Sequence, residues 1–220
     1  MQKIRSVPPA PEAFCPRGVS MRFLLTTVAA LCLAGSVHAQ SIDVPAGTYV
    51  ADPLHTNVLW KVKHFGLSTY IGRFSTISAT LELNSEDPAQ SSLTATIDPA
   101  SVDTNYPADD KDFDAEIASD MFLNAAKFPE ITFVSKSIEL TGENTGTVTG
   151  DLTLNGQTRE ETLDVTFNTA LNPHPMSQKP VVGFSGAMTV DRTEYGIEAL
   201  AGPVAAEVLL EIEAEFVPQS

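Results

Sequence analysis

The chain has 220 residues, 43% of them hydrophobic and 19% charged, with a mean hydropathy of +0.01, which excludes a fibrous protein and an integral membrane protein of the helical kind. Thirteen Lys and Arg against 28 Asp and Glu give a net charge of −15, a field that repels phosphate backbones and argues against a nucleic-acid partner. Eleven Phe against four Tyr and one Trp, with 15 Pro and 13 Gly, suit many short strands joined by turns better than a helical bundle.

Residues 1–20 carry Pro8, Pro9, Pro11 and Pro16 with no periodicity and read as an upstream extension outside the native protein. Residues 21–39 begin Met21-Arg22, continue through an apolar run of about a dozen residues, too short to span a bilayer, and end on small residues before Gln40. This is the pattern of a cleavable secretory signal peptide, cut after Ala39, so the mature protein, residues 40–220, is expected to be exported. Cleavage removes both cysteines, Cys15 and Cys32, so the mature domain is expected to hold no disulfide or thiolate metal site. It leaves nine basic against 27 acidic residues, a net charge of −18.

In the mature chain, residues 56–64 alternate, with Thr56, Val58, Trp60, Val62 and His64 on one face and Asn57, Leu59, Lys61 and Lys63 on the other, as a half-buried strand requires. Further strand-like runs cover 71–83, 92–97, 131–140, 146–154, 161–168, 181–190 and 206–216. Asn155-Gly156 is a strong hairpin signal, because both central residues of the tight turn need positive φ. About eight strands without helical crossovers favour an antiparallel sheet closed on itself, which also removes exposed edges. Residues 107–124 break the pattern. Phe113, Ile117 and Met121 fall four apart, with Asp109, Asp110, Asp112, Asp114, Glu116 and Asp120 pointing out, so this stretch is expected to be an amphipathic helix or two short helical turns, a lid with a solvated acidic face that ends at Pro129.

The candidate inward faces are long and apolar. They include Val58, Trp60 and Val62, Ile131 and Phe133, Leu152 and Leu154, Leu163, Val165 and Phe167, Phe184, Met188 and Val190, and Val208, Leu210, Ile212, Ala214 and Phe216. Gly150, Gly183, Gly186 and Ala187 are expected to leave room between them. Eight strands give an interior that is either filled by its own side chains or holds one ligand, and at this level both remain open.

The inventory for catalysis is thin. Neither an HExxH motif nor a nucleophile elbow occurs, and His55 and His64, nine residues apart, fall on opposite faces of a regular strand, which argues against a two-histidine metal site. His64 ends the inward face and is expected at the barrel rim, where its imidazole can either meet a ligand head group or hydrogen-bond to nearby backbone. His55 and Arg192 are the other rim candidates, Arg192 equally as an ion-pair partner of Asp52 or Asp191. His174, in Asn172-Pro173-His174-Pro175, reads as a surface residue.

Five segments in order resemble the YceI-like family of exported, lipocalin-like polyisoprenoid-binding proteins. They are Tyr49-x-x-Asp52-x-x-His55-Thr56-x-Val58-x-Trp60-x-Val62-x-His64, then Gly72-Arg73-Phe74, then Asp120-Met121-Phe122 followed by Phe128-Pro129-x-Ile131-Thr132-Phe133-x-Ser135, then Gly150-Asp151-Leu152-Thr153-Leu154-Asn155-Gly156-x-Thr158, and Asp191-Arg192-x-x-Tyr195-Gly196. The resemblance spans residues 48–217. It implies an all-β, eight-stranded antiparallel lipocalin-like barrel with a short helical lid. Its pore would take a long polyisoprenoid, an isoprenoid quinone or a polyprenyl lipid, for binding, storage or transport in the periplasm, without an established catalytic reaction; no cofactor besides that ligand and no metal are expected.

Positions expected near the ligand are Val58, Trp60, Val62, His64, Phe74, Phe133, Leu152, Phe167, Phe184, Met188 and Ile212. The reading leaves room for transient contact with a membrane and for pairing of two barrels. Two departures stand out: a His-Leu pair common in the family's helical segment is Glu116-Ile117 here, and two consecutive Phe are Met121-Phe122. A head-group role for a lid histidine is therefore not transferred. The alternatives are an enzyme using a rim histidine as general base on a hydrophobic substrate, and a filled barrel acting as an interaction module.

Overall fold

The computed structural model describes residues 41–219; the extension and signal-peptide readings of residues 1–39 lie outside them. Besides three short 3-10 turns, eleven strands and one short α-helix follow in the order β1 (Gly47–Ala51), β2 (Asn57–His64), β3 (Ser68–Phe74), β4 (Ile77–Leu83), β5 (Ser92–Ile97), β6 (Val102–Asp103), α1 (Phe113–Ala118), β7 (Ile131–Leu140), β8 (Thr145–Leu154), β9 (Gln157–Leu171), β10 (Val181–Asp191) and β11 (Val204–Pro218). All named strand pairs are antiparallel, in the order β1-β4-β5-β7-β8-β9-β10-β11, and β1 pairs back onto β11. This closes an eight-stranded barrel.

The remaining short strands extend the same eight staves. Strand β11 carries β1 on its last residues, Phe216 to Pro218, and β2 on Glu213 back to Val204. Strands β1 and β2 are thus two halves of one bent stave. Strands β3 and β4 form the next, β3 on β2 and β4 on β1, and β6 continues from β5 to pair with β3.

The sequence run 71–83 was expected to be unbroken, and the structure divides it at Ser75 and Thr76. Phe74 and Ile77, three apart, both face inward, a phase slip that strict alternation forbids. Ser101 fixes the slip: its carbonyl accepts from Ser75 N–H and Ser75 Oγ, both at 3.0 Å, and its Oγ accepts from Thr76 N–H at 3.0 Å. A hydrogen-bond staple from 26 residues away in sequence is invisible to a local pattern.

The Asn155-Gly156 turn joins β8 to β9 with φ of 49° and 74°, as expected of a tight hairpin. Asn155 Nδ2 also donates to the Tyr195 carbonyl at 2.9 Å, tying this hairpin to the turn after β10. Two apolar clusters pack inside the barrel wall, one around Val58, Phe74, Phe133, Leu152 and Met188, the other around Tyr49, Leu81, Val182 and Phe216.

The lid takes the second of its two expected forms, short helical turns in place of one continuous helix. Only Phe113 to Ala118 are helical, and 119–128 continue as turns. Asp112 caps the helix by accepting from Ala115 N–H. Two more of the supposedly solvated acids have structural partners besides Asp112. Asp114 accepts from Thr104 N–H at 2.8 Å and Thr104 Oγ1 at 2.5 Å, binding the lid to β6, and Glu116 pairs with Lys111 at 2.5 Å. Met121 lies beyond the helix and is exposed, so it makes no lid contact of the expected kind.

Candidate functional site

The barrel encloses a cavity of about 710 Å³ running from the lid end to the β7–β8 hairpin. Of the two interiors allowed by the strand count, the hollow one is present, and its volume lies in the range of small-molecule sites. Every residue anticipated for the inward faces lines it, and so do all eleven positions expected near a ligand: Val58, Trp60, Val62, His64, Phe74, Phe133, Leu152, Phe167, Phe184, Met188 and Ile212. Ionisable lining groups sit mainly at the ends, with His64, Lys111, Glu116 and Arg192 toward the lid and Glu143 at the opposite hairpin.

The glycines shape this space unequally. Gly146 and Gly186 line the cavity, both in register with Val165; Gly186 opens the wall, its nearest neighbours being side chains, whereas a Cβ at Gly146 would press on the Glu139 carbonyl. Gly150 does not leave room as expected: a Cβ there would meet the Phe133 ring and the Val134 carbonyl, so the ring fills that gap. Gly183 and Ala187 do not border the cavity. The most confined glycine was not anticipated. Gly72, paired with Trp60 across β2 and β3, lies directly under the indole, and a Cβ would overlap it.

An aromatic series links that wall to the lid. Trp60 stacks on Tyr70 with centroids 5.8 Å apart, Tyr70 meets Phe113 edge-on at 5.8 Å, and Phe113 lies 5.4 Å from Tyr106. Lys111 Nζ stands 4.8 Å above the Phe113 ring. Tyr70 Oη donates to the Thr104 carbonyl at 3.0 Å, so the residue that receives the Trp60 stack also anchors the segment that holds the lid. Tyr70, Tyr106, Lys111 and Glu116 line the cavity without having been identified in the sequence. Alternation reveals strand faces within the runs read from the sequence, whereas Tyr70 precedes the run that begins at Ile71, Tyr106 and Lys111 lie between β6 and α1, and Glu116 is on α1 itself.

Two polar atoms on the cavity wall, Trp60 Nε1 and Thr56 Oγ1, are buried and have no partner among the described residues. In an apolar tube each is a fixed hydrogen-bonding group available to a polar atom of a guest.

The three rim candidates separate. His64 ends β2 at the mouth, exposed, with its ring edge-on to Phe65 at 4.7 Å. His55 does not reach the cavity. It lies before β2 on the outside, where Nδ1 is 2.9 Å from Asp52 Oδ2 and 3.7 Å from Glu215 Oε2. The Asp52 hydrogen bond, then Glu215, raise the imidazole above its ordinary pKa, and the same bond, with Leu54 N–H, lowers that of Asp52. These three residues gather potential ligand atoms within 4.8 Å, and their geometry is that of a surface imidazole–carboxylate ion pair.

Arg192 is buried, but its partners are neither Asp52 nor Asp191. The guanidinium donates to the carbonyls of Ala205 (2.9 Å), Ile197 (2.7 Å), Ala199 (2.8 Å) and Val204 (3.0 Å). Asp191 instead caps the following turn through Thr193 N–H and Oγ1. Arg192 thus shapes the loop 197–203 at the barrel mouth. Tyr195, fully buried beside it, donates Oη to Glu161 at 2.8 Å, and burial followed by that acceptor pushes the phenol above its ordinary pKa.

The chain matches the model of the YceI-like domain over residues 49–216. It is 34% identical over 196 residues to a UPF0312 protein of Shewanella sp. (strain ANA-3), covering 86% of this chain and 96% of that protein. The crystal structure of Burkholderia cenocepacia BcnA is similar at 26% identity with a TM-score of 0.63, over 75% of this chain and 98% of that one. A polyisoprenoid-binding domain from Saccharophagus degradans, implicated in plant cell wall breakdown, shares the fold at 12% identity and a TM-score of 0.56, over 80% of this chain and 100% of that domain. With the closed eight-stranded barrel and the ordered motifs in agreement, the chain belongs to the YceI-like family.

Proposed function

We propose that the chain is an exported carrier that binds a long polyisoprenoid, an isoprenoid quinone or a polyprenyl lipid, with its tail threaded through the barrel and its head group at the lid end. The observation that carries this reading is the apolar cavity of about 710 Å³ that reaches from the lid to the far hairpin. Burying a prenyl tail there at about 25 cal/mol per Å² supplies most of the affinity without specific polar contacts. Selectivity then comes from pore length and from the few polar groups on the wall and mouth. His64, Lys111 and Glu116 stand where a head group would emerge; His55 and Arg192 are occupied elsewhere. The family relationship and the polyisoprenoid-binding neighbour agree with this assignment, and the apolar run in residues 21–39 supports delivery to the periplasm.

The chain's single tryptophan lies on the cavity wall, so titration with a prenylated benzoquinone tests the proposal through quenching of Trp60. Saturable quenching is expected, and its loss in Val62→Arg, which places a charge in the pore. Full quenching in that variant would remove this face from the binding site. An enzyme acting from the rim predicts turnover of a hydrophobic substrate that His64→Ala abolishes while tail binding persists.

A further inference from the structure

The lid end of the barrel carries a cluster of exposed apolar side chains that packing does not explain. Phe65 and Leu67, in the three-residue turn between β2 and β3, are 60% and 88% exposed, and Leu200 in the loop 197–203 is 57% exposed. The two segments are stitched together. Phe65 N–H donates to the Pro203 carbonyl at 2.6 Å, and His64 pairs with Val204 in the barrel register. The cluster is continuous with the pore, because Leu200 and His64 both line the cavity and the His64 ring packs against Phe65.

Backbone geometry marks the same residues. Phe65 has φ of 52° and Leu200 has φ of 55°. This left-handed region suits Gly or Asn and is unfavourable for Phe and Leu. Sequence economy would place Asn or Gly at both positions, yet each holds a large apolar side chain facing water. Strain at a pair of exposed apolar residues on one rim points to a requirement from outside the folded chain.

We propose that this rim docks on the surface of a neutral lipid bilayer, seating the mouth of the cavity against the membrane so that an apolar guest passes between the two without crossing water. The proposal rests on the binding role above. Charge decides the kind of bilayer. The chain carries −15 overall, Lys63 and Glu198 flank the rim with opposite signs, and Lys111 is already paired with Glu116. No basic excess draws the rim to anionic lipid, and the net field opposes it. Docking is therefore driven by apolar insertion and is strongest on zwitterionic surfaces.

The test uses the purified protein, phosphatidylcholine vesicles doped with a prenylated benzoquinone, and the double variant Phe65→Asn/Leu67→Ser. Neither residue lines the cavity, and Asn tolerates the left-handed backbone, so the variant should match or exceed the parent in thermal stability. The parent is expected to float with the vesicles and to acquire quinone at a rate rising with vesicle concentration. In the variant, flotation and transfer rate should fall by roughly tenfold or more, while Trp60 quenching by quinone added without vesicles is unchanged. Replacing part of the phosphatidylcholine with phosphatidylglycerol should weaken flotation at low salt.

A variant that floats and transfers like the parent overturns the proposal, as does a parent that stays apart from the vesicles yet is quenched without them; in that case the binding role stands. Quinone transfer that needs an added membrane-protein extract assigns the rim to a protein partner and also overturns the proposal. Failure of quenching without vesicles strikes the binding role instead, and flotation still decides docking.

Discussion

The Trp60 indole occupies the space above Gly72, its partner across β2 and β3, where any Cβ would overlap the ring. The ring is held in that position by the Tyr70 stack, and Tyr70 is in turn tied to Thr104 and through it to the lid. A pair of residues 12 apart in the chain thus sets where the pore wall stands.

Gly72→Val should drive the indole from its seat. Displacing a packed ring costs about 1–3 kcal/mol, and the emission maximum of Trp60 should shift with it. Chemical denaturation and emission spectra measure both; an unchanged spectrum in a folded variant would show that the ring has another resting place.

Gly186→Leu separates stability from binding. A Cβ at Gly186 lies 3.2 Å from Leu163 Cδ1 and 3.6 Å from Ile212 Cβ, so the flexible Leu163 methyl yields and the new side chain enters the cavity. Replacing a strand glycine and filling apolar space favours the fold, by up to about 1 kcal/mol. Prenyl-quinone quenching should weaken while the melting temperature holds or rises.

Arg192→Met leaves four buried or half-buried carbonyls without their donor. The cost should be at least about 3 kcal/mol by urea denaturation. Arg192→Lys should recover only part of it, because an ammonium cannot reproduce the planar fork that spans both sides of the loop.

The His55–Asp52 pair predicts a pH dependence with a definite sign. The folded pKa of His55 is raised above 6.5, so its contribution is fully present below that ordinary value and is lost as pH rises through the raised one. The folded pKa of Asp52 is lowered below 3.8, so its share is present above that value and lost as pH falls through the depressed one. Relative to the parent, His55→Ala should therefore lose more melting temperature at pH 5.5 than at pH 9. Equal losses at both would show that the pair is not ionic.

The barrel was legible because its signal is local. Inward and outward residues alternate along each strand, and Asn155-Gly156 announces its hairpin. Features that depend on distant partners were not. Ser101 breaks the run 71–83 by hydrogen bonds from another stave, Thr104 turns Asp114 away from solvent, and carbonyls of a loop, not carboxylates, satisfy Arg192. His55 reads as a rim residue by its place before an inward face, yet Asp52 holds its ring outside. The exposed Phe65 and Leu67 follow the last inward residue of β2 and carry no periodic signal at all.

Native mass spectrometry of the protein, purified without detergent from a quinone-containing host, addresses the carrier role most directly. One polyisoprenoid per chain, released on collisional activation and absent from the Val62→Arg variant, is the predicted spectrum. A bare polypeptide mass in every preparation, with no adduct after incubation with prenyl lipids, would contradict it.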